Sequence, residues 1–184
     1  MNYKNRVYDA VTTYMKKLDE LDGLERGLAA QERAETISRV HAAERREEWA
    51  QQRKDAYENA IAEIEHIRRS HTEAVDEWDR LDGSKLDKDA EILKLDISMT
   101  QTQYQQLCDK HKNNSLMLAL LCDYADRHHG EALYADRPAD ARQRRVDFDA
   151  YAASATNVCR DPHSIRAGMF LENTGVPATC SIDY

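Results

Sequence analysis

Along the first part of the chain the apolar side chains fall at Val7, Val11, Tyr14, Leu18 and Leu21, in alternating steps of four and three. That spacing is the seam of a helix lying lengthwise on another helix. The pattern returns, displaced by one register position, at Tyr57, Ile61, Ile64, His71, Val75 and Trp78. Between them, "QERAETISRVHAAERREEWAQQRKD" is rich in Ala, Glu, Arg and Gln, which favour helix and give it a charged, solvated surface. Residues 1–82 therefore read as a helical stem, either a coiled coil or an αα-hairpin. The weak spot is Asp22-Gly23, with Gly27 close behind. A turn there would fold a short first arm back on the second. Without that turn, a helix from Leu24 to Leu81 would be roughly 85 Å long at 1.5 Å per residue. A seam of that length needs a partner helix. A second copy of the chain is the expected supplier, with Val7, Val11, Tyr14, Leu18, Leu21, Tyr57, Ile61, Ile64, Val75 and Trp78 as the interface. The chain's own hairpin arm is the alternative.

The pattern changes after "DRLDGSKL", where Gly83 suits the position past a helix end. Residues 83–99 form a connector, residues 100–175 a small helical domain, and residues 176–184 a tail of loop composition. Thr100 with Gln103 three residues on is a capping-box signature. Ser115 is the expected N-cap of the most apolar helix, which Gly130 stops. Pro138 and Asp161-Pro162 are the expected starts of two more helices. Tyr104, Leu107, Leu118, Leu121, Cys122, Phe148, Tyr151 and Phe170 are the expected core of this domain. No stretch alternates as a strand does. The predicted fold is all-α, a long N-terminal stem followed by a small C-terminal helical bundle.

Composition narrows the chemistry. The chain has 184 residues, 33% of them charged, and a net charge of −8. The charge is spread over both halves, so direct binding to nucleic acid through phosphate contacts is not expected. The longest apolar run, "LMLALLC", is far short of a bilayer span, and "MNYKNRVYDAVTTY" lacks the apolar core of a leader. The chain is expected in the cytoplasm, with Cys108, Cys122, Cys159 and Cys180 reduced.

Candidate catalytic and metal groups are sparse. Cys108 and His111, Cys122 with His128 and His129, and Cys159 with His163 invite a zinc reading. No C-x-x-C pair exists, however, and Cys108 and Cys122 sit on apolar faces where a free thiol is a small hydrophobe. A Cys–His nucleophile at 108 and 111 would lack an oxyanion hole on a helix surface. Phosphate-binding glycine loops are absent. The expectation is a chain without catalytic residues, bound metal or cofactor. The run "RQRR" supplies one basic patch, Arg142, Arg144 and Arg145, as a candidate partner contact; Asp140, Asp147 and Asp149 nearby allow it to be a solvated face instead.

The segments "DGSKLDKDAEIL" and "MTQTQYQQLCDKHKNNSLMLALLCDYADRHH", with "SIRAGMFLEN" near the end, resemble helical proteins of tailed phages and prophages of Gram-positive bacteria, encoded among head-assembly genes. The shared elements are Thr100, Tyr104 and Leu107, then Asn114, Leu116 and Met117, within residues 55–175. The resemblance implies a phage or prophage origin, residence in the cytoplasm of a bacterial host, and a binding role without catalysis. A scaffolding-like or minor head protein would bind itself and a capsid protein. Alternatively, an inhibitor of a Cas9-type host nuclease would offer its carboxylates to a basic channel.

Overall fold

The computed structural model describes residues 2–80, 82–95, 97–128 and 139–172. The protein is all-α: α1 (Tyr3–Arg33), α2 (Arg39–Asp79), a short 3-10 turn (Gly83–Lys85), α3 (Asp89–Lys94), α4 (Gln101–Lys110), α5 (Ser115–His128), α6 (Ala141–Arg160) and α7 (Ile165–Glu172). No described helix is long and apolar enough to cross a membrane. The chain divides into two compact units, one of Ser70–Phe148 and one of Asn2–Arg69 with the described residues from Asp149 to Glu172. The division falls inside α2 and inside α6, not at the 82/83 junction that the glycine suggested. No Gly or Pro marks either point.

In the unit of Asn2–Arg69, α1 and α2 form an αα-hairpin. The side-chain oxygen of Asn2 accepts from the Asn5 N–H at 3.1 Å and starts α1. The helix runs straight through Gly23 and Gly27, both open to space. Each glycine costs only about 1 kcal/mol relative to Ala, and buried Leu21 and Leu28 on either side hold the helix in place. The turn comes later, at Ala34–Ser38, inside the stretch whose composition favoured helix. There Thr36 N–H donates to Gln31 C=O at 3.0 Å and Glu35 N–H to Glu32 C=O at 3.1 Å. These two bonds are the Schellman closure of a helix end, with Glu35 at φ 54° in the place glycine normally takes. Ser38 then caps α2, its hydroxyl accepting from the His41 N–H at 3.2 Å.

The two arms are antiparallel. Arg53 reaches Asp22 and Glu25, each at 2.6 Å, Arg46 pairs with Glu32, and Arg6 pairs with Glu63 at 3.2 Å. Tyr14 meets Tyr57 edge to face. The second part of α6 and α7 complete this unit. The Tyr151 hydroxyl donates to Lys4 C=O, the Tyr8 hydroxyl to Leu171 C=O, and Tyr151 stacks on Phe170 with ring centres 5.3 Å apart. Buried Ala152, Ala155, Val158 and Cys159 line the inner face of α6. Burial pushes the Cys159 thiol up to about 11, so it sits there as a neutral, small apolar group.

The unit of Ser70–Phe148 has its own core. Val75 and Trp78 from the end of α2 join Leu93, Tyr104, Cys108, Met117, Leu118, Leu121 and Tyr124. His71 stacks on Phe148, ring centres 3.9 Å apart. The Tyr124 hydroxyl fixes the stretch before α4, accepting from Met99 N–H at 2.9 Å and donating to Ile97 C=O at 2.6 Å. The capping box of α4 is present: Gln103 N–H donates to the Thr100 hydroxyl, and Thr100 N–H to the Gln103 side chain.

Three predicted helix starts move. Asn114, not Ser115, caps α5, accepting from Met117 N–H at 3.2 Å. Asp140 caps α6, accepting from Gln143 N–H at 2.7 Å, so the helix begins at Ala141, three residues after the expected start at Pro138. Ser164 caps α7, accepting from Ala167 N–H at 3.2 Å, three residues beyond Asp161. Short polar side chains compete for each cap, and the one whose oxygen meets a free N–H wins. Pro138, His129, Gly130, Cys180 and the expected tail at 176–184 lie outside the described residues.

Candidate binding site

The seam residues come first. Val7, Val11, Tyr14, Leu18, Leu21, Ile64, Val75 and Trp78 are buried within a single chain, and Tyr57 and Ile61 are half-buried. The predicted seam is thus not an exposed interface awaiting a second copy. The chain supplies the covering helices itself, and it does so in two places: Val75 and Trp78 belong to the core of Ser70–Phe148, the others to the hairpin unit. The apolar pattern missed Ile67, fully buried between Ile64 and His71 of the second run.

The expected C-terminal core is divided in the same way. Tyr104, Leu118, Leu121 and Phe148 are buried in the unit of Ser70–Phe148, with Leu107 and Cys122 half-buried there. Tyr151 and Phe170 are half-buried and stack on each other in the hairpin unit instead. Both lie past the point where α6 leaves the first unit.

The basic run resolves into three different environments. The Arg144 guanidinium lies over the Trp78 ring, 4.4 Å from its centre, and its Nε donates to Ala139 C=O at 3.2 Å. Burial pulls its pKa below the ordinary arginine range. Arg145 pairs with Asp76 on α2. Arg142 alone of the three is exposed. A helix turns about 100° per residue, so Arg142 and Arg145 share one side of α6 while Arg144 faces another, and the three do not make one patch.

Among the described residues, the one group of three potential ligands is Asp87, Asp89 and His111, their ligand atoms within 4.8 Å of one another. A cation is already built in: the Lys110 ammonium is 2.5 Å from Asp89 and 3.8 Å from Asp87. His111 Nε2 lies 2.9 Å from the same Asp89 oxygen. Lys110 and His111 together hold the Asp89 carboxyl below the ordinary range. The cluster ties the start of α3 to the end of α4. His128 stacks on Tyr124, ring centres 4.2 Å apart.

What the fold does assemble is a cavity of about 690 Å³ in the unit of Ser70–Phe148. Its inner wall is Trp78, Ser115, Leu118 and Cys122. Asp79, Asp123, Asp126 and Asp140 also line it, contributed by α2, α5 and the residue capping α6. Next to it, a shallower hollow holds Glu73, Asp76, Glu77 and Asp79 beside Arg80 and Arg145. No local motif announces this concentration of carboxylates. The four cavity aspartates span 62 positions of sequence, from 79 to 140, and meet only in the fold.

A second hollow of similar volume runs between α1 and α2, with Ala10, Tyr14, Ala56 and Ala60 at its base. Arg6 and Glu63 at its edge neutralise each other. No protein-family model, curated protein or solved structure matches this chain.

Proposed function

We propose that this chain is a non-enzymatic protein-binding module of a tailed phage or prophage, with a scaffolding-like or minor role in head assembly and a capsid protein as its partner. The observation that carries the binding role is a run of uncovered aliphatic side chains. Leu86, Ile92, Leu95 and Ile97 are between 42% and 55% exposed, all within twelve positions of a chain with mean hydropathy −0.81. Exposed aliphatic side chains so closely spaced along so polar a chain support a place where another protein binds. The segment is held ready: the Asn114 amide donates to Lys85 C=O, and the Tyr124 hydroxyl clamps Ile97 and Met99. Pre-ordered backbone reduces the entropy lost on binding. The head-assembly part rests on the sequence resemblance, and host cytoplasm follows from it.

Co-expression with the capsid protein of the same phage or prophage tests this reading. The wild-type chain is expected to co-elute with capsid protein and to change particle yield or shape. Leu95→Lys with Ile97→Lys, both exposed and so harmless to folding, is expected to abolish co-elution. Particles identical with and without the wild-type chain would refute the assembly role.

One observation favours a second reading, the inhibitor of a Cas9-type nuclease. Seven carboxylates, Glu73, Asp76, Glu77, Asp79, Asp123, Asp126 and Asp140, line two hollows that share Asp79. That acidity is more concentrated than the sequence suggested, and it is of the kind that a basic nucleic-acid channel attracts. Inhibition of guide-directed plasmid cleavage by the wild-type chain, lost on converting the carboxylates to amides, would move the function to this class.

A further inference from the structure

We infer that the open flank of the α1–α2 hairpin seats a basic amphipathic helix of another protein. The inference does not rest on the exposed segment Leu86–Ile97 or on a phage partner. It follows from which side of the hairpin the chain covers, and from the charge on the side it leaves uncovered.

A pair of antiparallel helices has two flanks, one on each side of its buried seam. At about 100° per residue, Lys4 and Tyr8 fall on one side of Val7, Val11 and Leu18, and Arg6, Ala10, Thr13 and Lys17 fall on the other. The chain covers the first flank itself. The Tyr151 hydroxyl of α6 donates to Lys4 C=O, and the Tyr8 hydroxyl to Leu171 C=O of α7. The second flank holds the hollow of about 690 Å³, lined by Ala10 and Thr13 from α1 and by Ala56 and Ala60 from α2. On α2 the lining residues Ala56, Asn59, Ala60 and Glu63 recur at i, i+3, i+4 and i+7, which is one stripe of a helix.

Leu24 extends this flank beyond the hollow. It stands seven positions after Lys17, on the same side of α1, and is 51% exposed. From Arg6 to Leu24 the flank runs roughly 27 Å at 1.5 Å per residue. Its shape is a trough between two helical ridges, low at the alanines and bounded by a leucine at one end. A partner helix fits such a trough with large apolar side chains at i, i+3, i+4 and i+7.

Charge selects the kind of helix. The two cations at the hollow are already used, Arg6 by Glu63 at 3.2 Å and Lys17 by Glu20 at 3.5 Å. Asp9 on α1 and Asp55 on α2 are exposed and form no ion pair among the described residues; the Asp55 carboxylate accepts from the neutral Gln51 amide at 2.6 Å. One carboxylate therefore stands on each wall. A helix carrying Lys or Arg on both sides of its apolar stripe meets both carboxylates, whereas an acidic helix meets like charge.

The probe is a blocked peptide of leucine and lysine, with leucine at the i, i+3, i+4 and i+7 spacing and about 18 residues long, enough to span the flank as a helix. Its glutamate-for-lysine counterpart and a shuffle whose leucines share no face are the controls. Each is titrated into the full chain by calorimetry. The leucine–lysine helix is expected to bind one per chain, at least about tenfold tighter than either control. Leu24→Ala, at an exposed position, is expected to weaken binding about tenfold, the loss of one apolar anchor. Asp9→Asn with Asp55→Asn is expected to weaken it about fivefold. Asp19→Asn with Glu47→Gln makes the same change of net charge at exposed positions that do not line the hollow, and is expected to leave affinity unchanged. Equal binding of a control peptide, equal loss in the Asp19 and Glu47 variant, or unchanged affinity in both flank variants would overturn the inference. So would self-association of the free chain that Leu24→Ala abolishes, because a second copy would then be the occupant.

Discussion

The guanidinium of Arg144 lies flat against the molecule, 4.4 Å from the centre of the Trp78 ring. This contact joins the start of α6 to the end of α2 within one unit, and it turns a residue of the basic run into a packing element. Arg144→Ala is expected to lower stability by about 1–2 kcal/mol, combining the cation–π contact with the lost cover of the stem. Arg144→Lys should fall in between, because an ammonium lacks the planar face. Arg142→Ala, at an exposed position, should change stability by less than about 0.5 kcal/mol. Urea titrations of the three variants check the order.

Leu21 is fully buried within one chain. Leu21→Ala should therefore cost about 2–5 kcal/mol, with an unfolding midpoint that does not move when protein concentration changes about a hundredfold. A midpoint that rises with concentration would return the seam to an interface between copies.

Glu35 holds a left-handed backbone at φ 54° in the hairpin turn. A non-glycine residue there is strained by about 1–2 kcal/mol, partly offset because glycine is more flexible when unfolded. Glu35→Gly is expected to raise stability by up to about 1 kcal/mol. Gly23 is the reverse case, an ordinary helical position with nothing within 4 Å of an added Cβ. Gly23→Ala should stabilise by about 0.4–1 kcal/mol. Thermal melts of both variants check the pair; a loss of stability in either would contradict the placement of the turn.

Asp89 is held below the ordinary carboxylate range, first by its hydrogen bond to Lys110 and then by that to His111. A carboxyl depressed in the folded state favours folding above its unfolded value, near 3.9. That contribution disappears as pH falls through the folded value. Asp89→Asn should therefore be less stable than wild type at pH 7, by about 1–2 kcal/mol. The gap should close below about pH 4. Denaturant titrations at pH 7, 5 and 3 would detect a gap that stays constant, which would show that the ion pairs contribute nothing.

Legibility followed the range of the interaction. The Thr100–Gln103 capping box needs only neighbours, and it was readable. The hairpin turn at Ala34–Ser38 was not. Its closure is made by backbone hydrogen bonds around Glu35, with no glycine to signal it, while the two glycines that seemed to signal a turn lie inside α1. The basic run was visible as letters, but its meaning depended on Trp78 and Asp76, sixty-odd residues earlier. The cavity had no signal at all, since its four aspartates come together only when α2, α5 and the start of α6 do.

The order of residues by itself determined that this protein is all-α over its described residues, and that Val7, Val11, Tyr14, Leu18 and Leu21 must leave water. Periodicity states that a face is buried and is silent about what buries it, because the hydrophobic effect has no direction and accepts any apolar surface of the right shape. Tertiary structure chose the cover: α2 folding back on α1, α6 contributing to two cores, and Trp78 taken into the core of Ser70–Phe148, where it lines an acidic cavity.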